Sequence, residues 1–245
     1  ETAKRLFTTD NLTVSFTADE KGYGEMKQSL KLLTGILPET GGERYTFTCD
    51  KENKNEGFMT SSQVNYVARC GSFAESGLPY TGALRTLKVI LGYDYLWLNV
   101  RVKGGAYGVM NGAGRTGEGY FVSYRDPNLK ETNQVFENVV KSLEEFDADE
   151  RDMTKYVIGT ISDLDVPLLA PYKGSKADAA YFSHLTDEMI KKEREEILKA
   201  TKEDIRALAP VIREILSTGS FCVIGNAEKI RENQELFGEV KNLFN

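Results

Sequence analysis

The stretch Asn99-Val100-Arg101-Val102-Lys103-Gly104-Gly105-Ala106-Tyr107-Gly108 sets a guanidinium and a phenol six positions apart, with a glycine pair between them. Arginine offers five N–H donors and tyrosine one O–H, so Arg101 and Tyr107 could hold peptide carbonyl oxygens or a developing oxyanion. Gly104 and Gly105 would allow close backbone approach. Spacing alone leaves a second reading open, a surface arginine and an interface tyrosine bordering a turn. Shortly afterwards Gly112-Ala113-Gly114-Arg115-Thr116-Gly117 matches G-x-G-x-x-G, whose amides could cradle a phosphate at a helix start. The residues that follow, 119–124, have an extended and not a helical pattern, and no Lys-Ser or Lys-Thr succeeds them. These glycines fit a turn with positive φ, and nucleotide binding is disfavoured.

Other chemistries find little support. One histidine, His184, leaves the chain without an H-E-x-x-H or inverted H-x-x-E-H pair to grip zinc, so no metal ligand is assigned. His184 lies in Phe182-Ser183-His184-Leu185, between helical segments, and reads as a hydrogen-bonded structural residue. There is no G-x-S-x-G elbow, and no cysteine has a histidine near it in sequence. Cys49, Cys70 and Cys222 are widely spaced and odd in number, which fits small buried hydrophobes and not a disulfide framework. With 31 basic against 37 acidic side chains and a net charge of −6, the long-range field repels nucleic acid and anionic membranes. No run approaches the roughly 18 apolar residues of a membrane span, and the polar start at Glu1 has no signal-peptide core. A soluble, reducing, cytoplasmic setting is the expectation.

The elements that must position these groups follow from periodicity. Leu12, Val14 and Phe16 alternate with polar neighbours, which predicts a half-buried strand over 12–17. Met26, Leu30, Leu33 and Leu37 predict a helix over 23–37, stopped by Pro38. Alternation returns at 44–48 and within 57–70. A helix packed on two sides is expected over 81–98. Next comes a glycine-rich hairpin or turn, closed by the strand Tyr120-Phe121-Val122-Ser123-Tyr124. Asn128 with Glu131, Asp147 with Glu150 and Thr201 with Asp204 resemble capping boxes. Pro210 predicts a kink, and 191–196 a solvated charged face. Residues 220–224 read as a short buried strand, and Asn226 caps a last helix burying Ile230, Phe237, Val240 and Phe244. Without repeats or low-complexity linkers, one α+β unit over 1–245 is expected, a mixed and mostly antiparallel sheet with helices mainly on one face.

Several long motifs in order then add a family. Tyr93-Asp94-Tyr95-Leu96-Trp97, the 100–108 run, and Tyr124-Arg125-Asp126-Pro127-Asn128-Leu129 resemble the C-terminal domain of presequence-peptidase-type zinc metallopeptidases, of the insulinase/pitrilysin family. The resemblance extends through Asn55-Glu56-Gly57-Phe58, Phe146-Asp147-Ala148-Asp149-Glu150-Arg151 and Val223-Ile224-Gly225-Asn226, and covers the chain from about Leu12 onward. It implies the fourth α+β domain of a clamshell peptidase whose zinc site lies in the N-terminal half of the same protein. It also implies an oligopeptide substrate, with Arg101 holding a substrate carbonyl, Tyr107 stabilising the oxyanion, and Gly104 and Gly105 lining the site and allowing it to flex. Alone, the chain would bind no zinc and cleave nothing; in a eukaryote the setting would be an organellar matrix. The rival expectation is a non-catalytic assembly or interaction domain of the same fold.

Overall fold

A computed structural model describes residues 1–40, 42, 45–49, 52 and 54–244. The chain forms two compact units, residues 1–50 with 166–189, and residues 51–165 with 190–245. The first unit holds helices α1 (Thr2–Leu6), α2 (Glu20–Thr34) and α7 (Ala170–Phe182). None of the three buries a residue. In the second unit, strands β1 (Glu56–Thr60), β2 (Asn65–Ser72), β3 (Gly108–Ala113), β4 (Glu118–Asp126), β5 (Ser220–Asn226) and β6 (Glu239–Asn242) form one sheet in the order β3-β4-β2-β5-β1-β6. The β3–β4, β4–β2 and β2–β5 pairs are antiparallel, whereas β1 runs parallel to both β5 and β6. This is a mixed, mostly antiparallel sheet in an α+β fold.

Period-two burial shows which face meets the helices. Val67, Phe121, Phe221 and Val223 point inward and are almost fully buried, while Tyr66, Tyr120 and Tyr124 stay partly exposed on the other face. The inward side packs on α3 (Ala83–Ile90), α4 (Lys130–Glu137), α10 (Ala209–Ser217) and α11 (Ala227–Glu232), and α5 (Val139–Glu144) packs in turn on α10 and α4. Leu87, Phe136, Leu143, Ile212, Ile215 and Ile230 fill the space between. Each such side chain removed from water contributes about 1.5–3 kcal/mol, so this layer holds the sheet in place. Outside it lie α6 (Glu150–Leu164), α8 (Asp187–Leu198) and α9 (Lys202–Arg206).

Several expectations need correction. Residues 12–17 form no strand, and Val14 and Phe16 are 43% and 48% exposed, because alternation makes a strand only where a neighbouring strand pairs with it. Residues 45–48 are not strand either, and Arg44 lies outside the described residues. Asn128 does not cap α4, since its side chain donates to the Gly104 carbonyl instead. The cap of α6 is Asp149, which accepts from the Asp152 amide, two positions beyond the expected Asp147. Pro210 does not kink a helix; it sits in the first turn of α10, which starts afresh after α9 ends. The final helix stops at Glu232, and Val240 lies in β6, drawn there by hydrogen bonding to β1. The Thr201–Asp204 capping box and the Asn226 cap both form as expected.

The segment 191–196 is also not uniformly solvated. Glu193 on α8 is buried, and its carboxylate accepts from the Tyr80 hydroxyl, from Arg85 and from Arg115 in the β3–β4 turn. Burial pushes its pKa up, but the Tyr80 and Arg85 hydrogen bonds, with the charges of Arg85 and Arg115, outweigh burial and hold it below the ordinary value of 4.5. Burial first, and then the hydrogen bond to Glu193, push the Tyr80 hydroxyl up to about 12. Because the folded-state pKa of Glu193 is depressed, its contribution to stability is present above pH 4.5 and is lost as pH falls below it. Chemical denaturation at stepped pH is expected to show a shallower acid loss of stability in Glu193→Gln than in the parent; superimposable acid limbs would contradict this assignment.

Candidate active site

The helix begun by α3 does not end at Ile90. It continues through two widened, π-type segments, Leu91–Tyr95 and Trp97–Lys103, and buries Leu91, Leu96 and Val100. Arg101 therefore lies on the last helical turn and not in a loop. Its guanidinium lies over the Trp97 ring, 4.0 Å from the centroid. No ion pair engages it among the described residues, so the indole supplies a cation–π platform and the N–H edges stay available.

The glycine pair ends this helix. Gly105 has φ +81°, its amide donates to the Arg101 carbonyl at 2.9 Å, and the Ala106 amide donates to the Val100 carbonyl at 3.1 Å. These bonds close the helix as a left-handed cap does, one residue wider because the helix is π-type. A Cβ on Gly104 would lie 2.5 Å from the Val100 carbonyl oxygen. Both glycines therefore have a structural task, terminating the helix tightly enough for Tyr107 to enter β3.

Tyr107 is anchored by its backbone and free at its tip. Its amide donates to the Tyr124 and Arg125 carbonyls at 3.1 and 3.3 Å. Tyr107 is 67% exposed, and its ring packs edge-on against Tyr124, at 5.8 Å between centroids. Tyr124 in turn packs edge-on against Tyr66 at 5.4 Å. The Tyr107 hydroxyl has no hydrogen-bond partner among the described residues, so its donor is available to a ligand. No hydrogen bond or ring contact joins Arg101 to Tyr107 there; the two are linked through the backbone of the capping turn.

A buried polar network fixes that turn. Asp126 has no exposed surface, and its carboxylate accepts from the Asn128 amide at 2.8 Å and the Thr132 hydroxyl at 2.7 Å. Asn65, also fully buried, donates to the Asp126 carbonyl at 3.1 Å and accepts from the Asn226 amide at 3.0 Å. The Asn128 side chain reaches the Gly104 carbonyl at 2.6 Å. The ends of β4 and the helix, the start of β2 and the β5–α11 junction are thus tied together. Sequence reading singled out Arg101, Gly104, Gly105 and Tyr107 but assigned no role to Trp97, Tyr66, Tyr124 or Asp126. The available signal was Asp126 itself, since a carboxylate beside Pro127 that must be buried needs local donors.

The remaining candidates lie elsewhere. Gly112 and Ala113 end β3, and residues 114–117 make the β3–β4 hairpin turn, in which Gly117 takes φ +91°. His184 is exposed, with φ +53°, at the end of α7. Cys49 and Cys70 are exposed and Cys222 is half-buried, contrary to the expected burial; Cys70 and Cys222 sit on the open sheet face and not in the core. Among the described residues no three His, Cys, Asp or Glu side chains cluster to hold a metal. A cleft of about 560 Å³ bordered by Leu78, Pro79, Lys199 and Leu208 includes neither Arg101 nor Tyr107.

Comparison with known proteins gives the family. A model of the PreP C-terminal domain matches residues 55–227. Protein HypA of Clostridium perfringens (strain 13 / Type A) is 43% identical over 238 residues, 97% of this chain and 24% of its own length. Presequence protease 1, chloroplastic/mitochondrial, of Arabidopsis thaliana is 30% identical over 246 residues, 98% of this chain and 23% of its own. Among solved structures, the peptidase M16 inactive domain from Pseudomonas fluorescens aligns with a TM-score of 0.61 at 14% identity, covering 89% of this chain and 52% of that one. Pitrilysin aligns at 0.59 and 11%, covering 85% and 23%. These two share the fold. The chain belongs to the PreP C-terminal domain family, of the insulinase/pitrilysin-type metallopeptidases. It spans about a quarter of the length of the curated relatives it matches.

The capping turn yields a paired prediction. Gly105→Ala forces a Cβ into the left-handed region and is expected to lower unfolding free energy by about 1–2 kcal/mol. Gly108→Ala, where a Cβ would meet nothing within 4 Å, is expected to leave it unchanged or slightly raised. Urea unfolding of both variants checks this; equal destabilisation would contradict the cap.

Proposed function

We propose that the chain is the substrate-gripping fourth domain of a clamshell zinc metalloendopeptidase that degrades short, unstructured peptides. In this reading the Tyr107 hydroxyl donates to the oxyanion as it develops, and Arg101 holds a substrate carbonyl in register. Gly104 and Gly105 let the peptide approach the backbone closely. The observation that carries the reading is the anchored Tyr107, its amide held twice by β4 while its hydroxyl stays unpartnered and exposed. A donor preset in this way loses little freedom when charge appears beside it.

Zinc belongs, in this proposal, to the N-terminal half of the same protein, and this chain alone is inactive. That half is the proposed partner. Leu32, Ile36, Leu169, Tyr172 and Tyr181 of the first unit are all more than 60% exposed, which supports a further surface covering them. No helix among the described residues is long and apolar enough to cross a membrane. The proposed setting is the cytoplasm, or an organellar matrix in a eukaryote. The second reading, a non-catalytic assembly domain, draws on the Pseudomonas fluorescens relative, whose M16 domain is described as inactive.

Cleavage assays of the full-length protein separate the two readings. Tyr107→Phe is expected to lower kcat by about 100-fold or more, and Arg101→Ala to lower kcat/KM by at least tenfold. Wild-type turnover in both variants would favour the assembly reading.

A further inference from the structure

The end of β4 departs from regular pairing beside Tyr107. Asn65 pairs with Asp126 and Val67 with Ser123, so one residue of β2, Tyr66, faces two of β4, Tyr124 and Arg125. This is a β-bulge, and within it Arg125 has φ +48°. An arginine in the left-handed region is strained, and the other non-glycine residue with positive φ among the described residues, His184, sits where a helix ends, a usual place for that conformation. The bulge has a definite consequence. Strict alternation after buried Ser123 and exposed Tyr124 would turn Arg125 into the core and Asp126 out to solvent. Instead Arg125 is exposed beside Tyr124, and Asp126 is buried in its network. Bulges next to active sites commonly re-aim a side chain in this way.

The re-aimed guanidinium is unclaimed by acid. Its carbon lies 5.6 Å from the Tyr124 ring centroid, and no carboxylate pairs with it among the described residues. The Tyr66 hydroxyl, which it contacts, raises its pKa above the ordinary value. Arg125 therefore borders the Tyr107–Tyr124–Tyr66 ladder as Arg101 borders the capping turn, each guanidinium resting on an aromatic ring with donors to spare. Its own carbonyl also holds the Tyr107 amide, so strain at Arg125 and placement of Tyr107 share one peptide group. Strain maintained at an exposed arginine, where glycine would relieve it, points to a task for the side chain.

We infer that Arg125 is a substrate-binding residue of the same surface, recognising a carboxylate of the bound peptide, either an acidic side chain or a free C-terminus. A planar guanidinium that meets the Tyr66 hydroxyl but no carboxylate among the described residues keeps further N–H donors, and suits a carboxylate, which accepts two parallel bonds, better than a single carbonyl. The inference rests on the peptide-gripping reading of Tyr107 and Arg101.

The test uses the full-length protein and matched unstructured peptides. One series walks a Glu or a Gln through the positions flanking the cleaved bond; another compares free-acid with amidated C-termini. At one position the parent is expected to prefer the carboxylate form by about tenfold in kcat/KM, expressed in KM. Arg125→Gln and Arg125→Gly are expected to abolish that preference, and Arg125→Lys to keep part of it. Arg125→Gly should match or exceed the parent in thermal midpoint, which separates loss of recognition from loss of fold. Tyr107→Phe should slow all peptides and keep the preference. Absence of any preference in the parent, or its survival in Arg125→Gln, overturns the assignment while leaving the Tyr107 reading intact. Parental turnover in Tyr107→Phe would instead remove the reading beneath it.

Discussion

A carboxylate with no contact with water has to be satisfied by its neighbours, and at Asp126 that requirement organises the whole candidate surface. Two donors meet it, the Asn128 amide and the Thr132 hydroxyl, both at or near the start of α4, where the helix dipole also favours negative charge. Stripping a partner from such a group costs about 1–3 kcal/mol, more than an intact hydrogen bond contributes, so the network resists partial rearrangement. Through Asn128 it reaches the Gly104 carbonyl, and through Asn65 it reaches β2 and the cap of α11. Burying Asp126 also forces the preceding residue outward. The strained conformation of Arg125 and the fixed entry of Tyr107 are two sides of one constraint.

The helix that delivers Arg101 works by a related economy. Its π-type turns keep Leu91, Leu96 and Val100 on the core while the chain advances toward the left-handed cap at Gly105. The glycine pair had suggested a hinge. In the structure the pair closes the helix through paired backbone bonds, and a Cβ on Gly104 would crowd the Val100 carbonyl.

Much of this was readable before any coordinates. The strand at 220–224, the Thr201–Asp204 box, the Asn226 cap and the glycine-rich hairpin before Tyr124 are local patterns whose physics is complete within a few residues. Elements whose definition depends on distant chain were misread. Residues 12–17 carry a strand's alternation but find no neighbouring strand, whereas 239–242 become β6 only because β1 lies alongside. Glu193 looked solvated until Arg85 and Arg115 converged on it from other elements. Arg101 and Tyr107 stood out by type and spacing, but Arg125 did not, because its exposure is set by a bulge that only the β2 register reveals.

The most direct measurement is a structure of the full-length protein, inactivated in its other half, with an unstructured peptide bound. The account predicts peptide acceptor oxygens within about 2.6–3.2 Å of the Tyr107 hydroxyl and the Arg101 guanidinium, and a peptide carboxylate on Arg125. A peptide lying elsewhere, with the Tyr107 hydroxyl still facing solvent, would contradict it.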